Sequence, residues 1–258
     1  MLGSHQKLSI AQIVLYVPVT AIALYLACYR HQRPRMVWII LTFFSLIRIT
    51  AGILVIILQK SSSIGIKIAS VIFLNAGVFP LIAATLGFIR IITAMEQNMS
   101  KQIRQCLAVS RLLFIVGIGL TVAGGALEGS DTTSDVLIGV KLVKTGYIMV
   151  VVFVGFLLAM QVYFWTRRSY LSVTSRTVLN ATAMATPFVA VRIVYLFLSV
   201  FHPSDLRWSD LSGPIAPFLT MGLLMEYSVV LIYLITGFVI PSWRNNEKPE
   251  ILLSEATR

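Results

Sequence analysis

Seven long apolar runs divide this sequence, and each is long enough to cross the hydrocarbon core of a membrane. A membrane-spanning helix needs about 20 mainly apolar residues, and the runs, which we number spans 1 to 7, are Ile10–Tyr29, Met36–Leu58, Ile66–Thr93, Cys106–Ala126, Val136–Thr166, Val178–Phe201 and Pro214–Ile240. Short connections join them, so neighbouring spans are expected to be antiparallel. The sequence therefore predicts an all-α, polytopic membrane protein with seven transmembrane helices over residues 1–240 and a polar, disordered cytosolic tail over residues 241–258.

The composition excludes soluble globular and disordered proteins. Hydrophobic residues make up 57% of the 258 residues and charged residues only 12%, whereas soluble domains carry about 25% charged residues. A disordered chain would contain far fewer apolar side chains. The chain therefore has little room for a domain outside the membrane.

Basic residues indicate the orientation of the spans. The connections after spans 1, 3 and 5, together with the tail, carry Arg30, Arg33, Arg35, Lys101, Arg104, Arg167, Arg168, Arg176, Arg244, Lys248 and Arg258, whereas five acids lie on the other side: Glu128, Asp131, Asp135, Asp205 and Asp210. The positive-inside rule then predicts a lumenal or external N-terminus and a cytosolic C-terminus. The net charge of +11 reports this orientation, and we expect no nucleic-acid partner.

Three charged residues lie too deep to reach an interface: Arg48 in span 2, Arg192 in span 6 and Glu226 in span 7. A charge at the centre of the bilayer costs from about 3 to more than 10 kcal/mol, so these side chains should face the bundle interior and be paired. Counted at about 1.5 Å per residue from the lumenal ends of their spans, all three lie roughly 13–18 Å below the lumenal surface.

Polar side chains at similar depth extend this group. Asn75 lies slightly higher, Tyr147 and Tyr195 reach similar levels, and Tyr195 follows Arg192 by three residues on the same helix face. One interpretation is a structural ion pair that fixes the order of the helices. The other, which the uncompensated arginine favours, is a ligand site or reaction centre among spans 2, 3, 6 and 7.

The sequence offers no pattern that predicts a metal or a cofactor. His5, His31 and His202 lie in separate peripheral segments. There is no Cys/His cluster, no paired-aspartate motif and no glycine-rich phosphate loop. The remaining chemistry is that of one interior carboxyl group among hydrogen-bond donors.

Such a set suits acid- or base-assisted opening of an epoxide. Glu226 would be the catalytic carboxyl group with Arg192 and Arg48 beside it, and the substrate would contact Asn75, Tyr195 and Tyr147. Burial favours a neutral carboxylic acid and a close arginine favours the carboxylate. The sequence therefore leaves open whether Glu226 acts as an acid, a base or a nucleophile.

Five segments carry a resemblance to a largely uncharacterised family of fungal seven-helix integral membrane proteins. They are Ser9–Pro18, Ser45–Gly52, Asn75–Pro80, Pro187–Tyr195 and Met225–Gly237. The resemblance implies a setting in fungal secondary metabolism. Fungal membrane-bound terpene cyclases are similar only in architecture, because their early tryptophan–glutamate phrase is absent and span 2 carries Arg48 in place of an acid.

These observations leave two main functional hypotheses. The first is an enzyme in the endoplasmic reticulum membrane that opens an epoxide, by hydrolysis or cyclisation, on a lipophilic polyketide or terpenoid. The alternative is a non-enzymatic lipid- or ligand-handling protein, similar to a transporter or a receptor, in which Arg48 and Arg192 hold an anionic head group. Both imply a lipophilic small molecule and membrane lipid as partners, and neither fixes the oligomeric state. A purely structural membrane subunit is a third reading, favoured if the three charges close on each other without a cavity.

Overall fold

The computed structural model describes residues 4–28, 35–59, 64–96, 101–129, 132–202, 207 and 213–240. Seven helices in these ranges are long and apolar enough to span a membrane, and no strand occurs there. The predicted all-α, multi-pass architecture is confirmed. The predicted polar tail, residues 241–258, lies outside the described residues.

Five of the seven spans are single, uninterrupted helices that begin before their apolar run. They are Ser4–Cys28 for span 1, Arg35–Leu58 for span 2, Lys101–Leu127 for span 4, Thr133–Thr166 for span 5 and Val173–Phe201 for span 6. A helix continues past its apolar run because its backbone groups still need hydrogen-bond partners at the membrane interface.

Spans 3 and 7 are interrupted. Span 3 consists of two helices, Ile64–Ala76 and Val78–Met95, that meet at Gly77. Pro80 contributes to this break because it has no N–H to donate to the carbonyl of Ala76. Span 7 begins with one turn, Ile215–Pro217, continues as a π-helix over Phe218–Leu224 and ends as an α-helix over Met225–Val239.

Span 3 occupies the middle of the bundle and span 4 its edge. In the most apolar window of each span, 72% of the span 3 residues are buried but only 17% of the span 4 residues. The main apolar core draws on all seven spans around side chains such as Trp38, Phe88 and Tyr233, and among the described residues span 4 contributes only Leu107 and Phe114 to its buried part. The side chains of the candidate site are therefore expected to lie around span 3.

Spans 4 and 5 approach each other through two pairs of glycines. A Cβ atom at Gly124 would lie 2.7 Å from the carbonyl oxygen of Gly139, and one at Gly117 would lie 3.2 Å from that of Gly146. The obstacles are backbone atoms, which cannot rotate away as a side chain can. The absence of a side chain at these positions therefore sets the distance between the two helices.

We expect Gly124→Ala to destabilise the protein, because the added methyl group would force the backbones of spans 4 and 5 apart. Overpacking of this kind costs about 1–3 kcal/mol. The measurement is the thermal unfolding midpoint in nanodiscs. Gly119→Ala on the same span is the matched control, since a Cβ atom there meets nothing within 4 Å. Equal midpoints for the two variants would contradict the glycine contact.

Candidate functional site

The three deep charges meet in one cluster. Glu226 Oε1 accepts a hydrogen bond from Arg48 Nη2 and another, at 2.6 Å, from Arg192 Nε. Each of the three side chains is only 1% exposed. The prediction that these residues face the bundle interior and are paired is confirmed. We call Arg48, Arg192 and Glu226 the ion cluster.

Span 3 supplies a backbone acceptor to the ion cluster. The carbonyl oxygen of Leu74 accepts from Arg48 Nη1 at 3.0 Å and from Arg192 Nη2 at 3.4 Å. A Cβ atom at Gly77 would lie 2.6 Å from Arg48 Cζ, so glycine at this position lets the guanidinium group lie against the break in span 3. The break in span 3 at Gly77 therefore creates the space in which Arg48 is held.

Span 7 presents Glu226 directly after its π-helical segment. The wider turns of a π-helix shift the direction in which later side chains point, and such segments often lie at functional sites. Gly222 within the segment is close enough to Arg192 that a Cβ atom there would lie 3.7 Å from Nη1. The π-helix therefore sets the position of Glu226 and brings Gly222 beside the guanidinium group of Arg192.

Span 1 contacts the ion cluster, although no residue of span 1 was predicted to lie near it. Gln12 Nε2 donates to the backbone carbonyl oxygen of Arg48 at 2.7 Å. Tyr16 is fully buried, with its ring edge against Phe44 at 5.6 Å, and the Phe44 ring lies 5.8 Å from Arg48 Cζ. Two polar residues four positions apart in an otherwise apolar run were the available signal.

Of the predicted substrate-contacting residues, Tyr195 lies beside the ion cluster. Its ring centroid is 5.3 Å from Arg192 Cζ, a cation–π contact between two residues that the three-residue spacing places on the same helix face. Tyr195 packs with Ala51, Leu74 and Phe218 in a small apolar group. Its surroundings indicate that it supports Arg192.

Asn75 and Tyr147 lie elsewhere, in a cavity of about 240 Å³ between spans 3, 4, 5 and 6. None of the ion-cluster residues lines this cavity. The prediction that Asn75 and Tyr147 share one pocket with the three charges is therefore wrong. Residues at the same depth in the membrane can point to different sides of a helix. Leu74 and Gly77 face the charges, whereas Asn75 and Phe79 face the cavity from the other side of span 3.

The cavity is apolar with a few polar groups. Tyr147 stacks on Phe79 with ring centroids 6.0 Å apart. Asn75 Oδ1 is buried and has no hydrogen-bond partner among the described residues. Glu128, just beyond span 4, also lines the cavity, and partial burial raises the pKa of its carboxyl group above the usual 4.5. An apolar wall with a few polar groups is typical of a small-molecule site.

Comparison with known proteins identifies a family whose description names no activity. Residues 2–242 match a family described as "Domain of unknown function (DUF7702)". No curated protein and no solved structure matches the chain. Any functional conclusion therefore rests on the residues of the site.

The charge balance of the ion cluster predicts unequal effects of two substitutions. Glu226→Gln would leave two buried guanidinium groups without a counter-charge, whereas Arg192→Gln would leave a neutral pair of Arg48 and Glu226. Breaking a buried pair by removing one partner costs about 3–5 kcal/mol, and we expect Glu226→Gln to suffer this loss and Arg192→Gln clearly less. The measurement is the yield of folded protein and its thermal unfolding midpoint.

Arg167→Gln serves as the control for loss of one charge, because Arg167 is exposed and lies away from the ion cluster. It should change the midpoint little. A larger loss for Arg192→Gln than for Glu226→Gln would contradict the charge argument.

Proposed function

Because the chain belongs to the DUF7702 family, whose description names no activity, we propose its function from the site alone. The protein binds a lipophilic small molecule with a hydrogen-bond-donating group in the cavity between spans 3, 4, 5 and 6. This is the ligand-handling alternative of the sequence analysis, with the ligand moved from the arginines to the cavity. In this proposal the ion cluster has a structural role and holds spans 2, 6 and 7 together.

The observation that carries the proposal is the buried oxygen of Asn75. A buried amide oxygen without a hydrogen bond costs about 1–3 kcal/mol, and Asn75, whose Oδ1 has no partner among the described residues, lines an otherwise mostly apolar cavity. A ligand hydroxyl or amine group that draws the Asn75 amide towards the cavity would satisfy this oxygen while the apolar wall covers the rest of the molecule. At about 240 Å³ the cavity is slightly below the range of about 300–1,000 Å³ that is typical of pockets for drug-sized ligands. A cavity of this size suits a small ligand, or the compact polar end of a larger one.

The contacts of the ion cluster argue against a ligand on the arginines. Both guanidinium groups contact Glu226 and the carbonyl oxygen of Leu74, and all three charged side chains are almost fully buried. An anionic head group would have to displace Glu226 from both partners. We therefore place the ligand on the opposite side of span 3.

Epoxide opening by Glu226 stays a prediction, with one observation in its support. Glu226 Oε2 has no hydrogen-bond partner in the part of the chain that the structure describes, and a substrate group could use it. Two guanidinium groups on Oε1 complement a carboxylate, so this enzyme would use Glu226 as a base or a nucleophile. The proton for the epoxide oxygen would then have to come from another donor.

The setting of the protein is also part of the proposal. The resemblance to fungal membrane proteins supports a role in secondary metabolism and a lipophilic polyketide or terpenoid ligand. The distribution of arginines supports a lumenal N-terminus and a cytosolic C-terminus, and residence in the endoplasmic reticulum completes the proposed setting. These statements extend the family assignment, and the orientation has a test of its own.

Ligand binding is tested by native mass spectrometry of protein taken from nanodiscs after exposure to a panel of lipophilic alcohols, amines and epoxides. We expect one adduct whose occupancy falls several-fold in Asn75→Leu, because the leucine removes the buried acceptor and fills the cavity. Asn180→Leu is the matched control, since Asn180 is also a buried asparagine in a span but does not line the cavity. Equal losses in the two variants, or no adduct with any compound, would overturn the proposed site.

The mass and the chromatographic retention of the recovered compound together separate the two functions, because cyclisation would give an isomer of unchanged mass. A ligand-handling protein releases the compound unchanged. An epoxide hydrolase releases it with one added water, and this product would have to disappear in Glu226→Gln.

The orientation is tested with glycosylation acceptor sequences fused to either end of the chain in microsomes. We expect modification at the N-terminus and none at the C-terminus. The native Asn98-Met-Ser100 sequence, which lies outside the described residues, should stay unmodified because it would be cytosolic. Modification of the C-terminal acceptor would place the C-terminus in the lumen and contradict the predicted topology.

A further inference from the structure

We propose that a groove between the facing ends of spans 3 and 4 binds the head group of an anionic phospholipid from the surrounding bilayer. The groove has a volume of about 760 Å³ and is lined by Arg90 and Thr93 of span 3 and by Leu107, Arg111, Leu112 and Ile115 of span 4, among others. It lies at the end of the bundle where span 3 leaves the membrane and span 4 enters it. The cavity proposed above lies towards the other end.

Two arginines line this groove, and neither has an acidic partner in the described residues. The nearby Glu96 carboxylate accepts hydrogen bonds from Ser172 and Ser175 instead. Arg90 makes only a long contact, 3.8 Å, to the sulfur of Met36. The two arginines therefore present positive charge that an anion would complement.

The depth of the two arginines fits a lipid head group. Arg90 precedes the helix end at Met95 by five residues, about 8 Å along the axis, and Arg111 follows the start of the apolar part of span 4 at Gln105 by six residues, about 9 Å. Long arginine side chains at such depths extend towards the phosphate layer. Both charges thus arrive at the same level of the bilayer from two facing helices.

The packing of span 4 explains why a groove exists at this position. The glycine pairs bind span 4 closely to span 5, and only 17% of its most apolar window is buried. Little packing surface is then left for span 3. The space between spans 3 and 4 is filled from the bilayer.

The chemistry of the groove matches a whole phospholipid better than a free anion. Leu112 is 63% exposed and Ile115 50% exposed, and these side chains continue the groove towards the membrane interior, where acyl chains would cover them. Arginine binds phosphate oxygens through two parallel hydrogen bonds. Basic pockets between membrane helices are known to hold anionic lipid head groups in this way.

The test is native mass spectrometry of the full chain from nanodiscs of phosphatidylcholine alone or with phosphatidylglycerol of the same acyl chains. We expect retained phosphatidylglycerol in the wild type and a loss on the order of tenfold or more in the double variant Arg90→Gln/Arg111→Gln, since each basic contact near the membrane surface contributes about 1 kcal/mol. Arg167→Gln/Arg168→Gln is the matched control: it removes the same charge at the same end of the bundle, where these arginines lie over Tyr163 and Trp165.

Three outcomes would overturn the inference: equal retention of the two lipids, equal loss in the two double variants, or displacement of the bound lipid by millimolar glycerol 3-phosphate. The last outcome would identify a site for a soluble phosphate. The Asn75→Leu variant should retain phosphatidylglycerol like the wild type. Failure of the cavity proposal and failure of this one can therefore be distinguished.

Discussion

One carboxylate oxygen holds two guanidinium groups in the middle of the bundle, and the arrangement of four spans depends on it. An isolated charge at that depth is strongly disfavoured in lipid, so Arg48 and Arg192 must each reach Glu226. That requirement brings spans 2, 6 and 7 together around span 3. The break at Gly77 and the π-helix before Glu226 are the local irregularities that make the contacts geometrically possible.

Span 3 separates two environments of opposite character. One side carries the charges and the carbonyl oxygen of Leu74, where every group is buried in protein. The other side carries Asn75 and Phe79 against an open, mostly apolar cavity. Rigid support on one face and free space on the other is a suitable arrangement for binding, because the wall of the cavity does not have to reorganise when a ligand enters.

The sequence alone predicted the features that depend on hydrophobicity and depth. Seven apolar runs determine seven helices, and the cost of burying charge predicts that Arg48, Arg192 and Glu226 pair. Depth, however, carries no information about the direction of a side chain around its helix, which is why Asn75 and Tyr147 were grouped with the charges. The π-helix of span 7 has no recognised sequence signal, whereas the glycine pairs could have been noticed from their spacing, since Gly117 and Gly124, like Gly139 and Gly146, stand seven residues apart.

The backbone contact at Leu74 has a consequence for how this site can vary between relatives. The acceptor that both arginines share is a main-chain carbonyl oxygen, which every amino acid provides. Position 74 should therefore accept exchange among apolar residues of similar volume without loss of the contact. Position 77, by contrast, requires glycine, because a side chain there would enter the space of the Arg48 guanidinium group. We therefore expect this glycine, although it touches no ligand, to be as invariant among relatives as the three charged residues.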